Sequence, residues 1–170
     1  GGTGTCSYQW QSSPDQSTWT NVATTQNYTT AALTSTTYYR CIRTCDGSGC
    51  NTATSNTVTV TVVNDPSISI SGTTTICSGG TASLASSSSG GTGTCSYQWQ
   101  SSPDQSTWTN VATTQNYTTA ALTSTTYYRC IRTCDGSGCN TATSNTVTVT
   151  VVADPSITSQ PVGGTICTGG

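Results

Sequence analysis

The ten cysteines are the side chains of this sequence that could carry the most chemistry. Thiols bind zinc, act as nucleophiles or form disulfides, and their neighbours decide which of these they do. The sequence has no histidine, and no two cysteines are separated by two residues, the usual half of a thiolate zinc site. It therefore predicts structural disulfides, an extracellular or cell-surface location, and no metal or other cofactor.

The carboxylates do not assemble into a catalytic set. All six acids are aspartates, and those of the second half, Asp104, Asp135 and Asp154, are isolated in turns or linkers. General acid–base catalysis needs histidine or carboxylates at controlled spacing, and serine or threonine is no nucleophile without a base. Calcium is the alternative for Asp65, Asp135 and Asp154, but it needs six to eight oxygens and each loop offers one carboxylate. We therefore expect turn formation and no enzyme activity.

Two tryptophans are candidates for ligand binding. Trp19 and Trp108 occupy equivalent positions in short segments and could form a platform for sugars, although packing between strands is the simpler role. Arg129 and Arg132 have opposite parity on one predicted strand, so at least one of them should reach solvent and could stack on an aromatic ring.

Charge excludes several partners. Charged residues make up 6% of the sequence and the net charge is −2. Nucleic acids and anionic membrane surfaces both select basic faces, and no apolar run is long enough to span a bilayer. The remaining partners are the chain itself, through adjacent repeats or a homopolymeric filament, and surface polysaccharide.

The elements that must position these residues occur twice. Residues 1–63 recur without change as residues 90–152, a period of 89 residues, which is the size of a small domain. The Asp-Pro pairs at 65–66 and 154–155 each follow an alternating segment, and proline cannot continue a central strand. The predicted domains are a partial repeat at 1–64 that lacks its first strands, a complete repeat at 65–153, and the opening strands of a further repeat at 154–170.

The complete repeat contains seven predicted strands separated by turn signals. They cover 67–76, with a possible break, and 81–87, 95–100, 107–111, 116–119, 126–134 and 141–152. The end of the last strand alternates threonine and valine, so one of its faces should be buried. Short strands at this spacing predict an all-β fold of tandem immunoglobulin-like two-sheet sandwiches.

Several motifs resemble a known family. A Trp on the third strand and the Tyr-Tyr pair of TTYYR are similar to the immunoglobulin fold. With GGTGTCSYQWQSS and ATSNTVTVTV, they resemble the tandem immunoglobulin-like repeats of giant cell-surface and adhesin proteins of gliding and related Bacteroidota. The resemblance covers the whole chain and implies a secreted, non-catalytic module. The chain departs from the antibody pattern at Leu84, where that pattern has a cysteine.

The third and sixth strands are antiparallel neighbours in that fold, which bears on the disulfides. If Trp99 lies opposite Cys130, then Cys95 lies opposite Cys134, and the same register pairs Cys6 with Cys45. We combine this with a bridge between Cys77 and Cys139. A competing scheme joins Cys134 to Cys139 and Cys95 to Cys130.

The other cysteines lack a partner inside their own repeat. Cys50 and Cys167 are candidates for disulfides between repeats or between copies of the chain. Cys41 and Cys130 are expected to be unpaired core thiols or cross-linking residues.

These observations predict a structural repeat. The expected function is a disulfide-reinforced fibre, stalk or adhesin shaft. The alternatives are a carbohydrate-binding surface module, or an accessory stalk domain of a larger secreted enzyme. Aromatic residues on one solvent face would favour binding, whereas aromatic residues shared between the two sheets would favour the shaft.

Overall fold

The computed structural model describes residues 2–169, and every regular element within them is a β-strand. The chain divides into two compact units, Gly1–Asn64 and Asp65–Gly170. Residues 2–169 contain no helix that is long and apolar enough to cross a membrane.

Unit 2 contains two sheets. Its strands are β6 (Ser67–Gly72), β7 (Thr75–Cys77), β8 (Ser83–Ser89), β9 (Cys95–Ser102), β10 (Thr109–Ala112), β11 (Tyr117–Thr118), β12 (Thr126–Cys134), β13 (Ala142–Thr143) and β14 (Val147–Val152). The larger sheet has the order β10-β9-β12-β14-β7, with β13 also paired to β12, and the smaller sheet has the order β11-β8-β6. This arrangement is an immunoglobulin-like sandwich, as the sequence predicts.

The first predicted strand is divided between the two sheets. β6 pairs antiparallel with β8, whereas β7 pairs parallel with β14, with Ile76 opposite Val151. Gly72 is the last residue of β6 and has a φ of 154°, and a Cβ at this position would collide with the Ser83 carbonyl and the Leu84 backbone. Only glycine therefore lets the chain leave one sheet so close to the neighbouring strand.

The core of unit 2 fills the space between its sheets. Leu84 and Ile70 come from the smaller sheet, and Trp99, Cys130 and Val149 come from the larger one. Trp99, Cys130 and Val149 have no exposed surface. These positions have the inward parity that the alternating sequence predicts.

The described residues of unit 1 form one sheet, the counterpart of the larger sheet of unit 2. Its strands are β1 (Cys6–Ser13), β2 (Thr20–Ala23), β3 (Thr37–Cys45), β4 (Ala53–Thr54) and β5 (Val58–Val60). They form the order β2-β1-β3-β4, with β5 also paired to β3.

Residues 154–169 form no strand. Ile157, Val162 and Ile166 are 76%, 95% and 74% exposed. The sequence predicts the opening strands of a further repeat at these residues, and the structure places none there. In unit 2 the equivalent strands are β6 and β7, which pair with β8 and β14.

Candidate binding face and cysteine sites

The disulfides follow from the register of two long strands. β9 and β12 pair antiparallel with Trp99 opposite Cys130 and Cys95 opposite Cys134. A bridge joins Cys95 to Cys134, and β1 and β3 of unit 1 carry the equivalent bridge between Cys6 and Cys45. Both predicted inter-strand bridges are therefore confirmed, and the competing scheme is wrong.

The predicted bridge between Cys77 and Cys139 is wrong, because both cysteines are free. Cys77 lies opposite Val152, beyond the point where β14 pairs with Thr126 at the start of β12. Cys139 follows the other end of β12. Nine residues of extended strand therefore separate the two ends, roughly 25–30 Å, which no disulfide can span.

The free cysteines lie in different environments. Cys130 is fully buried, and this burial raises the pKa of its thiol. Cys50 accepts a hydrogen bond from the Thr3 backbone N–H at 3.4 Å and contacts the Thr3 hydroxyl at 3.6 Å, and these bonds lower its pKa. Cys167 is exposed and free. The assignment of Cys50 and Cys167 to cross-links stays a prediction.

The aspartates hold loops. The Asp104 carboxylate accepts hydrogen bonds from the backbone N–H groups of Ser106 and Thr107, both at 2.9 Å, and these bonds hold its pKa far below the usual range. Asp135 accepts from the Thr94 N–H at 2.6 Å. Within residues 2–169, no group of three or more His, Cys, Asp or Glu side chains could hold a metal ion.

A cluster of three aromatic rings lies between the sheets of unit 2. Tyr117 packs between Trp99 and Tyr128, with ring centroids 5.9 and 6.0 Å apart. The Trp99 indole N–H donates to the Thr114 carbonyl at 2.9 Å. Burial raises the pKa of Tyr128 to about 12. These rings are structural, since they fill the core.

Trp108 lies instead on the outer face of the larger sheet, where it is half-buried. The guanidinium carbon of Arg129 lies 4.1 Å from the centre of its ring. The Arg129 Nε–H donates to the Gln100 Oε1 at 2.8 Å, and the Gln100 amide N–H donates to the Asn110 Oδ1, also at 2.8 Å. We call Gln100, Trp108, Asn110 and Arg129 the outer strip of unit 2.

Unit 1 has an equivalent outer strip. It consists of Gln11, Trp19, Asn21 and Arg40, with the Arg40 guanidinium carbon 4.0 Å from the Trp19 ring centre. Sequence analysis identified both tryptophans and the stacking of arginine on an aromatic ring, but it missed the two amide residues. The strand register could have found the glutamine, because Gln100 lies opposite Arg129 when Trp99 lies opposite Cys130.

Comparisons with known proteins identify a family but no activity. A search of curated proteins found no match. The amphioxus IgVJ-C2 molecule is similar to the chain at 12% identity and a TM-score of 0.43, covering 85% of this chain and 88% of that one. The fibronectin(III)-like modules of Clostridium thermocellum CbhA are similar at 9% identity and a TM-score of 0.38, covering 92% and 83%. These similarities are too low to carry information about function. The family described as Domain of unknown function (DUF8696) matches residues 1–64 and 67–153, and the chain belongs to that family.

Proposed function

We propose that this chain is a non-catalytic, extracellular structural repeat that bears load in a fibre, stalk or adhesin shaft. The observation that carries the proposal is the position of the two ends of unit 2. The Asn140 amide N–H donates to the Asp65 Oδ2 at 2.6 Å, close to the end of β12, whereas Val152 lies beyond the start of β12. The chain therefore enters the sandwich at one end and leaves it at the other, as a link in a shaft must.

The strands nearest these ends suit a pulling force. β7 and β14 are parallel, so tension on the two ends of the unit slides one strand along the other. The hydrogen bonds from Thr150 N to Thr74 O at 2.8 Å and from Ser78 N to Val152 O at 3.0 Å are then loaded together. Bonds loaded together resist far more force than bonds that open one at a time.

The disulfides add a second barrier. Cys95–Cys134 ties β9 to β12 in the middle of the larger sheet and encloses a sequence separation of 39 residues. While this bridge is intact, the enclosed loop cannot extend, even after the hydrogen bonds between β7 and β14 have broken. Disulfides also persist in oxidising compartments, which supports a secreted or cell-surface location of the kind implied by the resemblance to bacterial surface repeats.

The exposed surface and the free thiols suit association between copies. The outward side chains of β6 and β8 are mostly serines, including Ser67, Ser69 and Ser87. Such a face has little charge to repel a second copy. The exposed Cys167 and the half-buried Cys50 are the thiols we propose for cross-links between repeats or copies.

Single-molecule force spectroscopy on the full chain, held at its two termini, tests the proposal. We expect a high unfolding force for unit 2. With the bridge intact, the gain in length on unfolding excludes the loop between Cys95 and Cys134. Reduction should add about 130–140 Å for this loop, because an extended chain spans 3.3–3.6 Å per residue.

Two variants at one position identify the strands that bear the load. Ser78→Pro removes the N–H that bonds Val152 and should lower the unfolding force, whereas Ser78→Ala keeps this N–H and should not. Proton NMR checks that both variants fold. An unchanged force in folded Ser78→Pro, or a wild-type unit that opens at the lowest detectable force, would count against a load-bearing role.

A further inference from the structure

The indole of Trp108 is fixed at its edge by a preformed turn. Its Nε1–H donates to the Gln105 carbonyl at 3.1 Å. Gln105 has a φ of 62°, a left-handed conformation that is uncommon for a residue other than glycine. The Asp104 carboxylate stabilises this turn through its bonds to Ser106 and Thr107. The chain thus adopts an unfavourable backbone conformation in order to hold one half-exposed aromatic ring in a single position.

Arg129 is held over this ring without a counter-ion. Its Nε–H bonds Gln100 and its plane stacks on Trp108, and in the described residues it makes no ion pair. The bond at Nε and the stacking leave the two terminal Nη groups without a described partner. Asp104, the acid in the turn that precedes Trp108, uses its Oδ1 for its own turn. The result is a rigid cationic fork on an exposed face.

The outer strip does not depend on the core of the sandwich. In unit 1, where the described strands form one sheet, the same contacts occur at nearly the same distances, 4.0 Å for the stacking and 2.9 Å for the bond from Arg40 to Gln11. Gln16 also has a φ of 63°, and its carbonyl accepts from the Trp19 indole at 3.1 Å. Packing between sheets therefore does not account for this geometry.

We propose that each outer strip binds an acidic polysaccharide, with a sugar carboxylate on the arginine fork. A guanidinium presents paired N–H groups that match the two oxygens of a carboxylate, and its stacking on an indole reduces the entropy lost on binding. The amides of Gln100 and Asn110 lie next to the fork and suit sugar hydroxyls. Arg40 and Arg129 give the chain two equivalent sites, one in each unit. This inference is independent of the load-bearing role proposed above.

Binding to immobilised polygalacturonate at low ionic strength, with neutral galactan as the reference, tests the proposal on the full chain. We expect wild type to bind polygalacturonate and not galactan. The double variant Arg40→Gln/Arg129→Gln should bind at least about tenfold more weakly, because the charged fork is lost from both strips. NMR signals of the Trp19 and Trp108 indole N–H groups should shift on titration with digalacturonate.

A matched control separates the strips from the overall charge. Ser69→Asp/Ser83→Asp lowers the net charge by the same two units, at exposed positions of the other sheet, and should keep near wild-type binding. Arg40→Lys/Arg129→Lys keeps the charge but removes the fork, and should lose most of the affinity. Retained binding in the glutamine variant, equal loss in the aspartate control, or binding to dextran sulfate but not to polygalacturonate would each overturn the proposal.

Discussion

The two copies of the repeat have the same sequence over 63 residues but different surroundings. Unit 2 places a second sheet, built from β6, β8 and β11, against the strands that the copies share, whereas the described strands of unit 1 form one sheet. Features that are the same in both copies are therefore fixed by the shared sequence. Features that differ depend on the second sheet.

The register, the disulfide and the outer strip are the same in both copies. Cys6 lies opposite Cys45 as Cys95 lies opposite Cys134, and each pair forms a bridge. All three features belong to the neighbouring strands β1–β3 or β9, β10 and β12, and to the tight turn at 14–18 or 103–107. Their geometry is local, since cross-strand pairs and turn hydrogen bonds are made within one sheet.

Burial is where the copies differ. Val58 is 53% exposed, whereas its counterpart Val147 is 9% exposed. β5 covers three residues and the equivalent β14 covers six. Apolar contacts from residues such as Leu84 therefore complete the core and lengthen the last strand. A strand with one unpacked face gains little from burial, so less of it stays paired.

The largest contrast between the copies is expected for the core tryptophan. Trp99 is fully buried, whereas Trp10 is half-buried. We expect Trp99→Ala to lower the free energy of unfolding of unit 2 by about 3–5 kcal/mol, because it removes buried apolar area and leaves a cavity. Trp10→Ala should cost unit 1 less than half of that. Urea unfolding followed by circular dichroism, with amide hydrogen exchange to separate the two units, measures both effects, and equal losses would contradict the dependence on the second sheet.

A smaller contrast is expected for Cys41 and Cys130, the free thiols at equivalent core positions of the two copies. Cys130 has no exposed surface and its pKa is raised by burial, whereas Cys41 is half-buried. Alkylation needs an accessible thiolate, so native Cys130 should react with iodoacetamide at least about tenfold more slowly than Cys41 at pH 8. Its rate should keep rising at higher pH, as a raised pKa requires.

The two cysteines lie in identical tryptic peptides, so single variants must separate them. In Cys41→Ser the tryptic peptide Cys-Ile-Arg comes from Cys130 alone, so its labelling reports on Cys130, and in Cys130→Ser the same peptide reports on Cys41. Both variants keep the disulfides and the other free thiols. Equal labelling rates would mean that unit 1 encloses its core thiol as well as unit 2 does.

Sequence analysis was most accurate where one strand pair decides the answer. The pairing of Cys95 with Cys134 needs only the register of β9 and β12, and the alternation of threonine and valine predicted the buried strand face that carries Val149. The bridge between Cys77 and Cys139 failed because it depends on the path of β7. The chain crosses from one sheet to the other after Gly72, and a single glycine in the sequence does not reveal where the following strand pairs.

The smallest contrast is expected for Asp15 and Asp104, which should respond alike. Each accepts two backbone N–H bonds within its own turn, at the same distances in both copies. Loss of the carboxylate in Asp15→Ala or Asp104→Ala should therefore shift the indole N–H signal of Trp19 or Trp108 by similar amounts and leave the core unchanged. Unequal shifts would mean that the second sheet reaches the turn.

Acid should release the same turns in both copies. The hydrogen bonds hold the pKa of each folded carboxylate below its ordinary value of 3.8. A lowered folded pKa gives stability that is fully present above the unfolded pKa and is lost as the pH falls toward the folded one. The indole signals report on the folded turn, so they should stay constant through pH 3.8 and change only at lower pH, near the lowered pKa of the folded carboxylate. Asp104→Asn keeps an acceptor oxygen without a titrating group, so the Trp108 signal should lose this pH dependence while that of Trp19 keeps it. A Trp108 signal that still titrates in Asp104→Asn would assign the effect to another group.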